Sequence, residues 1–135
     1  MHEVSLAKAT YDTINSICLK FNKSINQIKE VNLSIGEIQY LDLDIFFNFL
    51  KDYLNNEDIN IKWNIKKAKL KCNICFNEWL YSENLNNLKE EEKEAIHFIP
   101  ETVHLYIRCP KCNSNDFSII DGRGVFVESI TYNGE

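Results

Sequence analysis

The sequence predicts an α+β fold into which a smaller, cysteine-rich lobe is inserted. Segments with apolar residues at helical spacing alternate with segments in which every second residue is apolar, which is typical of helices and half-buried strands in one domain. Two Cys-x-x-Cys pairs follow, and a last apolar segment after them predicts a strand that returns to the first sheet. We therefore expect a discontinuous first domain, residues 1–68 with 119–135, and an inserted domain over residues 69–118.

The first helix is predicted over roughly residues 4–21, where apolar residues recur at intervals of three and four. The predicted apolar face consists of Leu6, Thr10, Ile14, Ile17 and Phe21. Cys18 lies beside this face and is expected to be a small core residue. Asn22 suits the left-handed backbone that often follows the end of a helix.

A strand and a second helix follow. Val31, Leu33 and Ile35 alternate with polar residues and predict a strand that ends at Gly36. Asp42 or Asp44 is placed to cap the second helix, which we expect to end at Asn55 and Asn56. The predicted apolar side of this helix consists of Ile45, Phe46, Phe49, Leu50 and Tyr53.

The next strand contains odd-numbered apolar residues from Ile59 to Ile65, and Trp63 is expected in the core of the sheet. The apolar positions are even-numbered from Ala68 onward, so the buried face switches at Lys66 and Lys67, where the chain enters the lobe. Within the lobe the sequence predicts a strand over 76–81, a helix over 88–98 and a strand over 117–120. The final strand is expected to begin near Val125.

Cys72, Cys75, Cys109 and Cys112 are predicted to bind one structural zinc ion in a zinc-ribbon-like lobe. Two residues between thiols let both sulfurs of a pair reach one ion, and two pairs supply the four soft ligands of a tetrahedron. Disulfides are the alternative, and reduced thiols in the cytoplasm favour metal. A four-thiolate site has no open position, so it supports the fold and does not catalyse a reaction.

Composition narrows the class of function. No apolar run is long enough to cross a bilayer and the first residues lack a signal-peptide pattern, so we expect a cytoplasmic protein without membrane contact. The alternative function is a zinc-ribbon nucleic-acid or protein interaction module, because four lysines cluster between Lys66 and Lys71. The net charge of −5 argues against nucleic acid, since phosphate binding relies on excess positive charge.

The N-terminus is a second candidate metal site. The amine of Met1 and the amide and imidazole nitrogens of His2 form adjacent chelate rings, and the amide of Glu3 can supply a fourth nitrogen. Four nitrogens in a plane suit Ni²⁺ or Cu²⁺. A solvated terminal histidine is the alternative interpretation.

The sequence resembles the HypA family, the nickel metallochaperones of NiFe-hydrogenase maturation, in motifs that run in order over the chain. These motifs are Met1–Leu6, Gly36-Glu37, the paired cysteines with Pro110 after the third, and Gly122–Val127. The long segment between the cysteine pairs, with Ile96–Pro100, is similar to the archaeal branch. Asn113 stands where the family often has glycine, and Asn also tolerates a left-handed backbone.

The resemblance implies a three-stranded mixed sheet with two helices, a zinc lobe and no catalytic residues. It places nickel at Met1, His2 and Glu3 and zinc at the four cysteines. It implies two partners, a nickel-binding GTPase of the HypB family and the large-subunit precursor of a NiFe-hydrogenase, although a related task such as urease maturation stays open. His97 is a candidate conditional nickel ligand, and His104 is a weaker candidate, with surface or packing roles as the alternatives.

Overall fold

The computed structural model describes residues 2–134, which divide into two compact units. The first unit contains the described residues up to Ile35, together with Leu41–Asn64 and those from Val125 onward. The second unit contains Gly36–Tyr40 and Ile65–Gly124. The division into domains at 68/69 and 118/119 stays a prediction about which parts fold on their own.

The first unit begins with helix α1, His2–Lys20, which is followed by Asn22 in the predicted left-handed conformation, with a φ of 56°. Its buried face differs from the predicted one by a rotation about the helix axis. Phe21 is 61% exposed because it lies beyond the last helical turn. The buried positions are Glu3, Ala7, Thr10, Ile14 and Cys18.

Helix α2, Leu43–Leu54, packs against α1 in the first unit. Its N-cap is Asp42, whose side chain accepts a hydrogen bond from the backbone N–H of Ile45 at 3.2 Å, as predicted. Asn55 ends the helix in a left-handed conformation. The rings of Tyr11 and Tyr53 stack between the two helices, with centroids 5.8 Å apart.

Three strands complete the first unit in the order β2–β1–β6, where β1 is Ile28–Gly36, β2 is Asn60–Lys66 and β6 is Val125–Tyr132. Strand β6 pairs antiparallel with β1, so the prediction that the last strand returns to the first sheet is confirmed. Strand β2 is an edge strand, and its residue Trp63 is 46% exposed. The prediction that Trp63 lies in the core is therefore wrong; its ring packs against Phe47 at a centroid distance of 5.7 Å.

The second unit contains a three-stranded antiparallel sheet in the order β4–β3–β5. Strand β3 is Lys69–Cys72, β4 is Glu78–Leu80 and β5 is Phe117–Asp121. Between β4 and β5 lie helix α3, Glu90–Phe98, and the single-turn helix α4, Val103–Tyr106. The core of this unit includes Trp79, Ile96 and Phe117 together with two of the paired cysteines, Cys72 and Cys109.

Residues 36–40, which we name the strap, leave β1 and join the second unit. The backbone N–H of Gly36 donates to the carbonyl of Gly124 at 2.7 Å, and that of Ile38 donates to the carbonyl of Gly122 at 3.1 Å. The Ile38 side chain is fully buried in the second core. The strap is therefore held by backbone pairing and by one apolar anchor.

None of the helices in the described part of the chain combines the length and the apolar character that a bilayer crossing requires. The α+β class, with one helix-covered sheet and one cysteine-containing sheet, agrees with the sequence prediction.

Candidate metal sites

The four paired cysteines converge on one point. Their Sγ atoms all lie within 4.8 Å of one another, with 3.5 Å between Cys72 and Cys112 and 3.6 Å between Cys75 and Cys109. A disulfide bond is about 2.05 Å long, so these contacts are non-bonded and the disulfide alternative is wrong. Four sulfurs at the usual Zn–S distance of about 2.3 Å are about 3.8 Å apart, so the cluster has the size of a tetrahedral zinc site.

Each cysteine pair lies on a turn of the same local geometry. The N–H of Phe76 donates to the carbonyl of Cys72 at 3.1 Å, and the N–H of Asn113 donates to the carbonyl of Cys109 at 2.8 Å. Phe76 and Asn113 both have left-handed backbones, with φ of 62° and 65°. Asn113 thus adopts a left-handed conformation, which asparagine tolerates, and the two turns present their thiols in equivalent ways.

Backbone N–H groups inside these turns favour ionised sulfur. The N–H groups of Cys75 and Ile74 donate to the Sγ of Cys72 and lower its pKa. Burial opposes ionisation of Cys109, but the N–H donors of Cys112 and Lys111 and the thiols of Cys75 and Cys112 together outweigh it and lower the pKa of Cys109 to about 6. Because zinc binds thiolates, these donors reduce the proton competition that a zinc ion meets.

The second candidate site is the start of α1. Met1 lies outside the described residues, so the predicted amine ligand is not described here. His2 opens the helix, and its Nε2 lies 3.4 Å from the carboxylate of Glu3. The same carboxylate accepts a hydrogen bond from the backbone N–H of Asp42 at 3.0 Å. Glu3 is buried, so its side chain is a fixed partner for His2 rather than a solvated charge.

His97 and His104 both belong to the second unit, in different surroundings. The His97 ring stacks on Tyr40 with a centroid distance of 5.3 Å, and its Nδ1 lies 3.5 Å from Glu94. His104 packs edge-on against Phe117 at 4.3 Å, and its Nδ1 lies 3.1 Å from the carbonyl of Asn115. The contacts of His104 favour the packing role that was its alternative.

Three contacts of these candidate ligands were not foreseen from the sequence. Glu3 with Asp42 and Tyr40 with His97 join residues far apart in the chain, and no periodicity signals such pairs. The pairing of Glu94 with His97 could have been found, because residues three apart on a helix are neighbours.

The chain matches a family model described as "Hydrogenase/urease nickel incorporation, metallochaperone, hypA" over residues 1–132. It is 33% identical over 138 residues to a hydrogenase maturation factor HypA of Thermococcus sibiricus, covering 100% of this chain and 99% of that protein. It is 36% identical over 133 residues to the Pyrococcus horikoshii protein of the same name, covering 96% and 94%.

Solved structures have the same fold. The solution structure of a HypA nickel metallochaperone from Helicobacter pylori superimposes with a TM-score of 0.58 over 98% of each chain, at 19% identity. A second solution structure of a HypA protein gives a TM-score of 0.59 over 100% of this chain and 98% of the other.

Proposed function

Because the chain belongs to the HypA family of nickel metallochaperones, which act in hydrogenase maturation, we propose that its nickel is carried at the start of α1 while zinc is held by the four cysteines. As a metallochaperone it transfers a metal ion and catalyses no reaction. The single observation that carries the proposal is that His2 opens a helix and shares the buried carboxylate of Glu3.

The start of a helix suits amide ligands for nickel. The first four N–H groups of an α-helix have no intrahelical carbonyl partner. The amide nitrogens of His2 and Glu3 belong to this group, since α1 begins at His2. Nickel can therefore replace the protons on these two nitrogens without breaking a hydrogen bond of the helix. An amide in the middle of α1 could not be used in this way.

The position of Glu3 also fits the chelate. A ring that includes the amide nitrogen of His2 and its own imidazole closes with six members when Nδ1 is the ligand atom. Nε2, the other ring nitrogen, lies near the Glu3 carboxylate. Ligating histidines usually donate their second ring N–H to such a group, which fixes the orientation of the ring. Glu3 thus has two roles, one through its amide nitrogen and one through its carboxylate.

The two metals are separated by ligand type. Soft thiolates in a closed cluster favour zinc, whereas nitrogen ligands at a chain end favour nickel and permit its exchange. Cys72 and Cys109 belong to the core of the second unit, so the ion bound there supports the fold. The nickel site has no such role, which is appropriate for an ion that is handed on.

His97 is the candidate for a further, conditional nickel ligand. Its Nδ1 lies near Glu94, an arrangement that resembles the carboxylate–histidine pairs of metal sites. We place transfer in the cytoplasm, with a nickel-binding GTPase of the HypB family as the partner and a NiFe-hydrogenase large-subunit precursor as the recipient.

The test is a calorimetric Ni²⁺ titration of the zinc-loaded chain with its native Met1. We expect one site that is lost in His2→Ala and in a copy with an N-terminal extension, because both remove nitrogens of the chelate. His104→Ala is the matched control, since its ring packs on Phe117 and is not part of the proposed terminal chelate. Unchanged stoichiometry and affinity in His2→Ala would refute the assignment.

A further inference from the structure

We propose that Lys71, Ile74 and Phe76 form a docking surface for another protein, which presents an apolar side chain beside a carboxylate. The three residues lie at the first cysteine turn, and all belong to the second unit. The proposal rests on the delivery role proposed above, because an ion can be handed on only to a protein that is held nearby. It adds to that role the surface through which the second protein is held.

The two cysteine turns have the same backbone but different side chains. Ile74 and Lys111 are equivalent, since the N–H of each donates at 3.4 Å to the Sγ of the first cysteine of its own turn. Phe76 and Asn113 are equivalent as well, because each follows the second cysteine and has a left-handed backbone. The second turn therefore carries a lysine and an asparagine where the first carries two apolar residues.

The stability of the turn does not explain these two apolar residues. Phe76 is 69% exposed and Ile74 is 60% exposed, so burial gains little from either side chain. The left-handed backbone also disfavours a bulky residue such as Phe76, whereas asparagine tolerates it. Exposed apolar groups that lie together mark interaction sites, and strained residues cluster where a protein binds its ligands.

Lys71 supplies the charge of the docking surface. It lies opposite Glu78 in the register of β3 and β4, but the Glu78 carboxylate pairs with Lys69 at 3.1 Å. The Nζ of Lys71 lies 5.9 Å from the centroid of the Phe76 ring, and no carboxylate within residues 2–134 forms an ion pair with it. A cation without a counter-charge beside two apolar side chains complements an apolar side chain flanked by a carboxylate.

The charges favour another protein over a second copy of this chain or a nucleic acid. In a twofold interface the docking surface would meet itself, which would bring two Lys71 ammonium groups together. Nucleic acid requires excess positive charge, whereas the chain has a net charge of −5. Zinc held by the four thiolates would add two negative charges next to the surface, which disfavours phosphate further.

The experiment gives the first turn the residues of the second. Phe76→Asn, Ile74→Lys and Lys71→Gln are made in the zinc-loaded full chain, and Lys111→Ala is the matched control on the second turn. Calorimetry without nickel measures the binding of each variant to the purified GTPase and to the purified hydrogenase precursor. The stoichiometry of Ni²⁺, the midpoint of urea unfolding and the oligomeric state are measured on the same proteins.

We expect Phe76→Asn and Ile74→Lys each to weaken binding to one of the two proteins by about tenfold or more, because both remove central apolar contacts. Lys111→Ala should bind like the wild type. Lys71→Gln should reduce the salt dependence of binding, since it removes the charge. Phe76→Asn should raise the urea midpoint, because asparagine tolerates the left-handed backbone. Nickel binding should not change in any of these variants.

Unchanged affinity of Phe76→Asn and Ile74→Lys for both proteins overturns the proposal, and so does a wild type that binds neither. A lower urea midpoint in Phe76→Asn would give the ring a structural role and overturn it too. If the wild type is a dimer that Phe76→Asn dissociates, the occupant is a second copy and the assignment to another protein is wrong. If His2→Ala still binds nickel while Phe76→Asn loses its partner, the nickel assignment fails and the docking surface stands.

Discussion

The carboxylate of Glu3 accepts the backbone N–H of Asp42 at 3.0 Å, and the Asp42 side chain accepts the N–H of Ile45. The start of α1 is thereby fastened to the start of α2 by a buried group. Glu3 also lies beside the ring of His2, the proposed nickel ligand. The same carboxylate therefore contacts both the His2 ring and the residue that caps α2.

Replacing Glu3 should separate its two contributions to the first unit. We expect Glu3→Ala to lower the free energy of unfolding by about 1–2 kcal/mol, because the N–H of Asp42 loses its acceptor in a partly buried place. Glu3→Gln should cost less, since the amide oxygen still accepts. Urea denaturation measures both. Asp12→Ala is the control, because the exposed Lys8–Asp12 ion pair should contribute no more than about 0.5 kcal/mol. Equal stability of Glu3→Ala and the wild type would contradict the prediction.

Removal of zinc should loosen the second unit and leave the first intact. The cysteines belong to the second core, whereas the first unit has an apolar core of its own. Each unit contains one tryptophan, Trp63 in the first and Trp79 in the second. In a Trp63→Phe background, chelation of zinc or Cys109→Ser should shift the emission of the buried Trp79 to the red. In a Trp79→Phe background the emission of Trp63 should stay constant. A simultaneous change of both would show that the units unfold together and would reject the predicted domain division.

Two glycines of the second unit allow steric fit to be compared with backbone strain. Gly36 has an ordinary φ of −68°, but a Cβ there would overlap the carbonyl oxygen of Gly122. Gly124 has a φ of +78° and nothing within 4 Å of an added Cβ. We expect Gly36→Ala to cost about 3 kcal/mol or more, since backbone must move. Gly124→Ala should cost about 1–2 kcal/mol from conformation alone. The reverse order of the two variants in chemical denaturation would show that the strap can shift.

The hydroxyl of Tyr81 is buried. It makes no hydrogen bond to any residue between 2 and 134. Tyr81→Phe should therefore leave the unfolding free energy unchanged or raise it by up to about 1 kcal/mol, because the desolvation of an unpaired hydroxyl is avoided. Thermal unfolding at neutral pH measures the difference. A clear loss of stability would mean that the hydroxyl makes a favourable contact.

The same variant gives a prediction for alkaline pH. Burial, together with the nearby Glu37 carboxylate, raises the pKa of Tyr81 from its ordinary 10.0 to about 12. Between these values the folded chain holds a proton that the unfolded chain has lost, so the stability of the wild type falls as pH rises. Tyr81→Phe should lack this loss, which amounts to at most about 1.4 kcal/mol per pH unit. Parallel stability curves for the two proteins from pH 10 to 12 would contradict this.

Short stretches of sequence predicted the helices and strands of this fold well, because helix caps, left-handed residues and strand alternation depend on neighbouring residues in the chain. Asp42 caps α2, Asn22 and Asn55 take left-handed conformations after helices, and a break between β2 and β3 occurs where the alternation changes parity. Alternation could not predict that Trp63 is half exposed, since it identifies a face of a strand but not what covers that face. Phe21 followed the helical spacing but lies after the helix ends.

The candidate sites divide in the same way. The Cys-x-x-Cys spacing fixes the geometry of one turn, so the sequence predicts that the two thiols of each pair lie close together. The preference of zinc for four ligands then predicts that the two pairs converge on one site. The partners of Glu3 and His97 depend on where the strap and α2 come to lie. That position follows from packing and from the pairing of Gly36 and Ile38 with the turn at Gly122, which no short window of sequence contains.

The antiparallel pairing of β1 with the last strand has a consequence for biosynthesis. Every residue of the second unit has been translated before Val125–Tyr132 leave the ribosome. The residues that hold zinc are therefore synthesised before the strand that completes the first sheet. A shortage of zinc would then leave the second unit without its order, while β6 could still pair with β1 of the first unit.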